Sequence, residues 1–266
     1  MTPRISVNLQ DGVADVRLQR TDKMNALDDQ MFEALRTTGE KLKTLRGVRV
    51  VVLSGEGRGF CAGLDTGNFG KMASGERGGE RLVQGQRTAG GANASQQAVM
   101  VWRELPVPVI AAVHGVAYGG GFQLMLGADL RFVTADAKLS IMEINWGLVP
   151  DMGGVVLLRR LVRDDVAREL SYTGRVFSGA EALQLGLATR VCDDPLADAL
   201  ALAAQIAARS PTAMRAAKRL FDLSADATAP EILLAESREQ AALMGAADQI
   251  EAVQARLAGR PAAFRD

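Results

Sequence analysis

The sequence has few of the residues that form disulfides, bind metals or charge a surface. Of its 266 residues, two are cysteine (Cys61 and Cys192) and one is histidine (His114). Two cysteines allow at most one disulfide, and a single histidine excludes a His-rich metal site, so no metal is assigned. Lysine plus arginine equals aspartate plus glutamate at 31 each, so no net field recruits nucleic acid or a membrane surface. Long apolar runs are also missing, and VPVIAAV and VVLL are far too short to cross a bilayer. The opening segment MTPRISVNLQ lacks the apolar stretch of a secretory signal. These absences lead us to expect a soluble, reduced, cytoplasmic protein that binds neither membrane nor nucleic acid.

What the sequence does contain is alternation of strand-like and helix-like segments. Ile5 to Leu9 and Val13 to Leu18, separated by Asp11 and Gly12, predict an opening hairpin. A helix is expected from Asp28 to Leu45, with Met31, Leu35, Leu42 and Leu45 on one face and Gly47 ending it. Val48 to Leu53, Pro108 to Val113 and Leu130 to Val133 read as buried strands. Between Thr66 and Gln97 the composition turns to Gly, Ser, Arg and Gln, which predicts a mobile loop or lid before a helix near Gln96 to Leu105. Beyond Ser178 the pattern is mostly helical, over 196–208, 211–223, 229–244 and 248–257. The fold class is α/β. A soft boundary near Pro195 divides a core and site region, 1–195, from a helical assembly region, 196–266.

Two glycine-bearing loops carry the chemistry. Gly57 to Asp65 (GRGFCAGLD) and His114 to Gln123 (HGVAYGGGFQ) each follow an apolar strand. Glycine lets backbone approach a ligand closely, and a helix starting at Gly119 or Gly120 leaves its first N–H groups without intrahelical partners. Two such donors aimed at one carbonyl oxygen suit a developing negative charge. Downstream, SIMEINWGLVPDMGG supplies two carboxylates, Glu143 and, eight residues later, Asp151. The combination suggests proton transfer beside a stabilised enolate.

Other readings of the same residues stay open. Asp151 precedes a helix-like run and suits an N-cap. Gln123 suits either a ligand contact or a helix end. Trp146 fits an acyl pocket or the core. His114 suits packing or loop hydrogen bonding, Cys61 reads as a small buried residue, and Cys192 as a strand-end residue.

RTDKMNAL from Arg20, VVLSGEGRGFCAGLD, AAVHGVAYGGGFQLMLGADLRF, INWGLVPDMGG and SGAEALQLGLATRV, in this order, resemble the enoyl-CoA hydratase/isomerase or crotonase superfamily. The resemblance covers most of the chain. It implies a crotonase-like spiral of ββα units with a helical C-terminal region, an acyl-CoA thioester ligand, and a homotrimer or dimer of trimers. No cofactor is implied, coenzyme A being part of the substrate. By the family pattern the oxyanion donors are the backbone amides of Leu64 and Gly120. The stretch containing Lys23, Met24 and Ala26, with Ala62, Gly63 and Asp65, would hold the CoA moiety. Gly119, Gln123 and Trp146 complete the expected substrate-binding set.

The hydratase pattern places an acid two positions after GGG, where this chain has Gln123. An amide orients water but does not exchange a proton as a carboxylate does. The Glu143–Asp151 spacing instead resembles that of dienoyl-CoA isomerases, although those also carry an acid at the Gln123 position. The expectation is therefore double-bond isomerisation, dienoyl type favoured, with Glu143 as base and Asp151 as acid or distal proton relay. A divergent hydratase and a noncatalytic acyl-CoA-binding scaffold are the alternatives.

Overall fold

A computed structural model describes residues 3–76 and 78–265, the side chains of Ala73 and Arg81 excepted. Strand β1 (Ile5–Gln10) pairs antiparallel with β2 (Val13–Leu18), and both turn residues take positive φ, 50° at Asp11 and 84° at Gly12. Such a turn matches the twist of the flanking strands. Helix α1 (Asp29–Thr44) starts where Asp28 accepts from Met31 N at 2.8 Å, and it buries Met31, Leu35 and Leu42.

Strand β3 (Val50–Gly55) is buried along its whole length. It lies inside a six-stranded sheet ordered β1-β2-β3-β4-β6-β9, parallel except at β1, with β4 (Val109–Val113), β6 (Leu130–Val133) and β9 (Arg190–Val191). Period-two alternation sends Val51 and Leu53 to one face and Val50 and Val52 to the other. Both faces are covered, so the strand reads as a continuous apolar run. A second sheet contains β5 (Val116–Tyr118), β7 (Lys138–Ser140) and β8 (Phe177–Ser178). Strands β4 and β5 followed by helix α5 (Gly120–Leu126) make a ββα unit whose two strands belong to different sheets. Strands β6 and β7 repeat the split before helix α6 (Gly154–Leu158).

The segment expected to be a mobile loop or lid is partly helical, which corrects that expectation. It holds α2 (Thr66–Ala73) and α3 (Glu80–Gln84), and α4 (Ala94–Arg103) begins inside it. Asp65 caps α2 by accepting from Gly67 N at 2.8 Å. Gly67 and Gly70 within that helix break the apolar periodicity that would have signalled it.

The chain then runs through α7 (Asp164–Thr173) and α8 (Gly179–Leu185) to α9 (Pro195–Ala207), α10 (Pro211–Leu223), α11 (Ala229–Leu243) and α12 (Ala247–Leu257). Helix α9 packs Ala199, Ala203 and Ala207 against Val50, Val52, Ile110 and Phe132 on the sheet face opposite α1 and α4. Lys218 of α10 donates to Asp129 Oδ2 at 2.8 Å and to Val107 O at 2.9 Å, fastening that helix to the end of β4. Among the described residues no helix is long and apolar enough to cross a membrane.

Candidate active site

The two glycine loops meet because each is paired to the start of the small sheet. Cys61 N donates to Val116 O at 3.0 Å, and Tyr118 N returns a bond to Cys61 O at 3.1 Å. Two close approaches demand glycine here. Gly63 has φ of 85°, and a Cβ there would lie 2.5 Å from the Tyr118 carbonyl oxygen. A Cβ at Gly121 would collide with the Cys61 carbonyl oxygen.

Among the described residues, this packing leaves the amides of Gly120 and Leu64 without partners. Gly119 N–H is taken by Ser140 O at 3.0 Å, but Gly120, the first residue of α5, finds no acceptor among the described residues. On the facing loop, Gly63 O accepts from Leu27 N at 2.7 Å and Asp65 N donates to Leu27 O at 3.1 Å. Alternate amides of an extended segment point in opposite directions, so Leu64 N–H faces away from Leu27 and likewise meets no acceptor among the described residues. A side chain at Gly63 would begin 3.7 Å from Gly120 N, which places the two loops side by side.

Both amide-bearing residues line a cavity of about 1210 Å³. Ala62, Gly63, Gly119, Glu143, Trp146 and Asp151 line it too. Glu143 opens a short 3-10 turn, Glu143–Trp146, and is only 9% exposed. Burial pushes its carboxyl above the usual glutamate range, and the negative charge of Asp151 adds to the rise; its own backbone N–H and the Gln123 amide work the other way. A base raised in this manner keeps proton affinity while remaining near the substrate.

The remaining expected residues lie elsewhere. Gln123 is 1% exposed and sits behind the cavity wall. Its Nε2 donates to Glu143 Oε1 at 2.6 Å, while its Oε1 accepts from Met152 N at 2.8 Å and Gly154 N at 2.9 Å. That amide does the capping work considered for Asp151, because the N-cap of α6 is Gly153. Lys23, Met24, Ala26 and Asp65 are not on the cavity wall. Met24 O instead accepts from Ala62 N at 2.9 Å, and Asp65 pairs with Arg20 at 2.6 Å besides capping α2.

Trp146 is 54% exposed and stacks on Phe69 with ring centroids 4.3 Å apart, so it belongs to the cavity and not to the core. Phe69 was missed because its helix gave no periodic signal. Asn25 was missed as well. Buried and at φ 57°, it donates from Nδ2 to Glu56 O and Gly59 O at 2.9 Å each, holding the first glycine loop. His114 Nε2 contacts Gly57 O at 2.9 Å in a similar supporting position. The Cys61 thiol is buried and pushed up to about 12 by that burial, which makes it a packing residue and not a nucleophile. Among the described residues, no group of three or more His, Cys, Asp or Glu side chains is placed to hold a metal ion.

The sequence profile of the enoyl-CoA hydratase/isomerase family matches residues 8–266. The chain belongs to this family. As a member of the enoyl-CoA hydratase/isomerase family it is an acyl-CoA enzyme with the crotonase fold. Among curated relatives, the mouse mitochondrial Δ(3,5)-Δ(2,4)-dienoyl-CoA isomerase is 31% identical over 255 residues, covering 94% of this chain and 78% of that protein. Mouse mitochondrial methylglutaconyl-CoA hydratase is 30% identical over 261 residues, covering 96% of this chain and 80% of that protein. The crystal structure of enoyl-CoA hydratase from Bacillus anthracis superposes with a TM-score of 0.88 at 29% identity, covering 98% of each chain. Family membership therefore assigns the thioester, while hydratases and isomerases resemble this member about equally.

Proposed function

We propose that the protein is an acyl-CoA double-bond isomerase of the dienoyl type, converting 3,5-dienoyl-CoA to 2,4-dienoyl-CoA. The observation that carries this reading is the composition of one cavity wall. It presents two carboxylates, Glu143 and Asp151, beside the two amides that find no acceptor among the described residues. The thioester oxygen would accept from Leu64 N–H and Gly120 N–H, and loss of one such donor costs about 10²–10³ in rate in other enzymes. Glu143 removes a proton from C2, and the resulting charge spreads along the conjugated chain to the thioester oxygen. Asp151 delivers a proton at C6. The net change is one proton moved and the double bonds shifted, with the two carboxyl groups reset through solvent.

Trp146 and Phe69 provide a flat wall for a conjugated acyl chain. Ala62 and Gly63 on the cavity wall would meet the CoA moiety, with the stretch holding Lys23, Met24 and Ala26, and Asp65, supporting them from outside the wall; Gly119 lines the cavity, and no cofactor beyond that CoA is called for. Both cysteines are free, which suits the reducing cytoplasm. We further propose that the enzyme is a trimer or a dimer of trimers, supported by Phe221, Leu233, Leu234, Met244 and Leu257, all exposed on or beside α10–α12.

The test is paired turnover of purified protein with 3,5-dienoyl-CoA and 2-trans-enoyl-CoA. Isomerisation should be fast, and Glu143→Gln and Asp151→Asn should each lower kcat by about 10²–10⁴. Rapid hydration that survives Asp151→Asn but not Glu143→Gln sinks the isomerase reading in favour of a hydratase working with one carboxylate. CoA-ester binding without turnover of either substrate would point to a scaffold.

A further inference from the structure

Gln123 is a buried polar side chain that touches both Glu143 and the segment that follows Asp151. Its orientation is not ambiguous. Two backbone donors, Met152 N–H and Gly154 N–H, converge on one end of the amide, so that end is the oxygen. The NH₂ end therefore faces Glu143 and donates to Oε1 at 2.6 Å. Glu143 Oε2 is buried and has no hydrogen-bond partner among the described residues. A buried carboxylate oxygen left without a donor is costly unless something else meets it. Met152 directly follows Asp151 in the chain, so the same amide that grips Glu143 also anchors the segment carrying the second carboxylate.

Resting on the reading of Glu143 as the base, we propose that Gln123 is a positioning residue. It commits Glu143 Oε1 as an acceptor, leaves Oε2 as the atom that takes the substrate proton, and ties the Asp151 segment to the same carboxylate. The proton goes from C2 to Oε2, and nothing leaves or enters through Gln123, which has no exchangeable acid. A carboxylate at position 123 would face Glu143 Oε1 at hydrogen-bond distance, and the pair would have to share a proton. The amide thus keeps Glu143 a single-site base.

The experiment compares wild type, Gln123→Leu and Gln123→Glu. The first variant removes the amide from both contacts. The second keeps an acceptor for Met152 N–H and Gly154 N–H, so it preserves the loop even if the first does not fold. Two readouts are taken: a pH titration of Glu143 by ¹³C-carboxyl NMR in the ligand-free protein, and kcat and KM for 3,5-dienoyl-CoA. The Glu143 midpoint should rise in both folded variants, more in Gln123→Glu. In Gln123→Leu, kcat should fall by about 10–100-fold with KM changed by less than about threefold, since the lost bond is charge-assisted but distant from the CoA. An unchanged midpoint together with unchanged kcat in the folded variants overturns the proposal while leaving the isomerase reading intact. A wild-type protein inactive on dienoyl-CoA overturns the isomerase reading, and the NMR midpoints then still decide whether Gln123 governs Glu143.

Discussion

Glu143 ties the electrostatics of the site to a measurable pH dependence. Burial and the neighbouring Asp151 charge both raise its carboxyl, so the ionised, working form accumulates only above the ordinary glutamate range. The acidic limb of kcat/KM should therefore lie at higher pH than a free glutamate would give. In the ligand-free protein, where both carboxyls ionise, Asp151→Asn removes the like charge and should lower the Glu143 midpoint; a midpoint that stays put would mean that the Asp151 charge does not reach the base. The sign for stability follows. The folded form binds this proton more tightly than the unfolded chain does, so the contribution is present below the unfolded value and lost as pH rises through the folded one. Glu143→Gln should thus raise the urea midpoint at neutral pH and do little at acidic pH. The two acids were legible in sequence because SIMEINWGLVPDMGG carries a recognisable pattern. The partner of Glu143 was not. That Gln123 points its amide inward to hold two backbone N–H groups depends on where the Met152–Gly154 segment passes, a tertiary fact that no local spacing encodes.

At the scale of elements, the site is a contact between a loop and a helix start, and its precision rests on backbone touching backbone. Gly121→Ala would drive a methyl group into the Cys61 carbonyl, and the only relief is to move α5 away from the first loop. We expect about 1–3 kcal/mol of destabilisation from this overpacking, read from denaturant midpoints. Activity should fall further than stability suggests, because the two amides separate; activity retained at the wild-type level would argue against the paired-donor geometry. Strands and long helices were legible at this scale. The helices 211–223 and 229–243 were found to within a residue because their caps and apolar spacing are local signals. The region from Thr66 to Gln97 was misread because glycines inside and beside short helices mimic loop composition, while α2 is held by Asp65 capping, by the Asn68 amide donating to Leu27 O and by Phe69 packing onto Trp146.

Over the whole molecule, the sheet is clad by α1 and α4 on one face and α9 on the other, which leaves α11 to pack along α10, where Arg219 pairs with Glu239, and away from the sheet. None of its residues is buried, yet it carries Ile232, Leu233, Leu234 and Leu243. If these faces meet in the proposed trimer, Leu233→Asp should shift the mass measured by light scattering toward the monomer without altering helical content by circular dichroism. An unchanged mass would move the interface elsewhere. The distribution of roles across the molecule also has a genetic consequence. Glutamine and glutamate codons differ at a single base, and a carboxylate oxygen at position 123 can accept from Met152 and Gly154 as the amide oxygen does. The scaffold would therefore tolerate the switch, so a lineage with this fold stands one nucleotide from adding a third carboxyl group to a two-carboxylate site, and its catalytic repertoire can drift while its architecture stays the same.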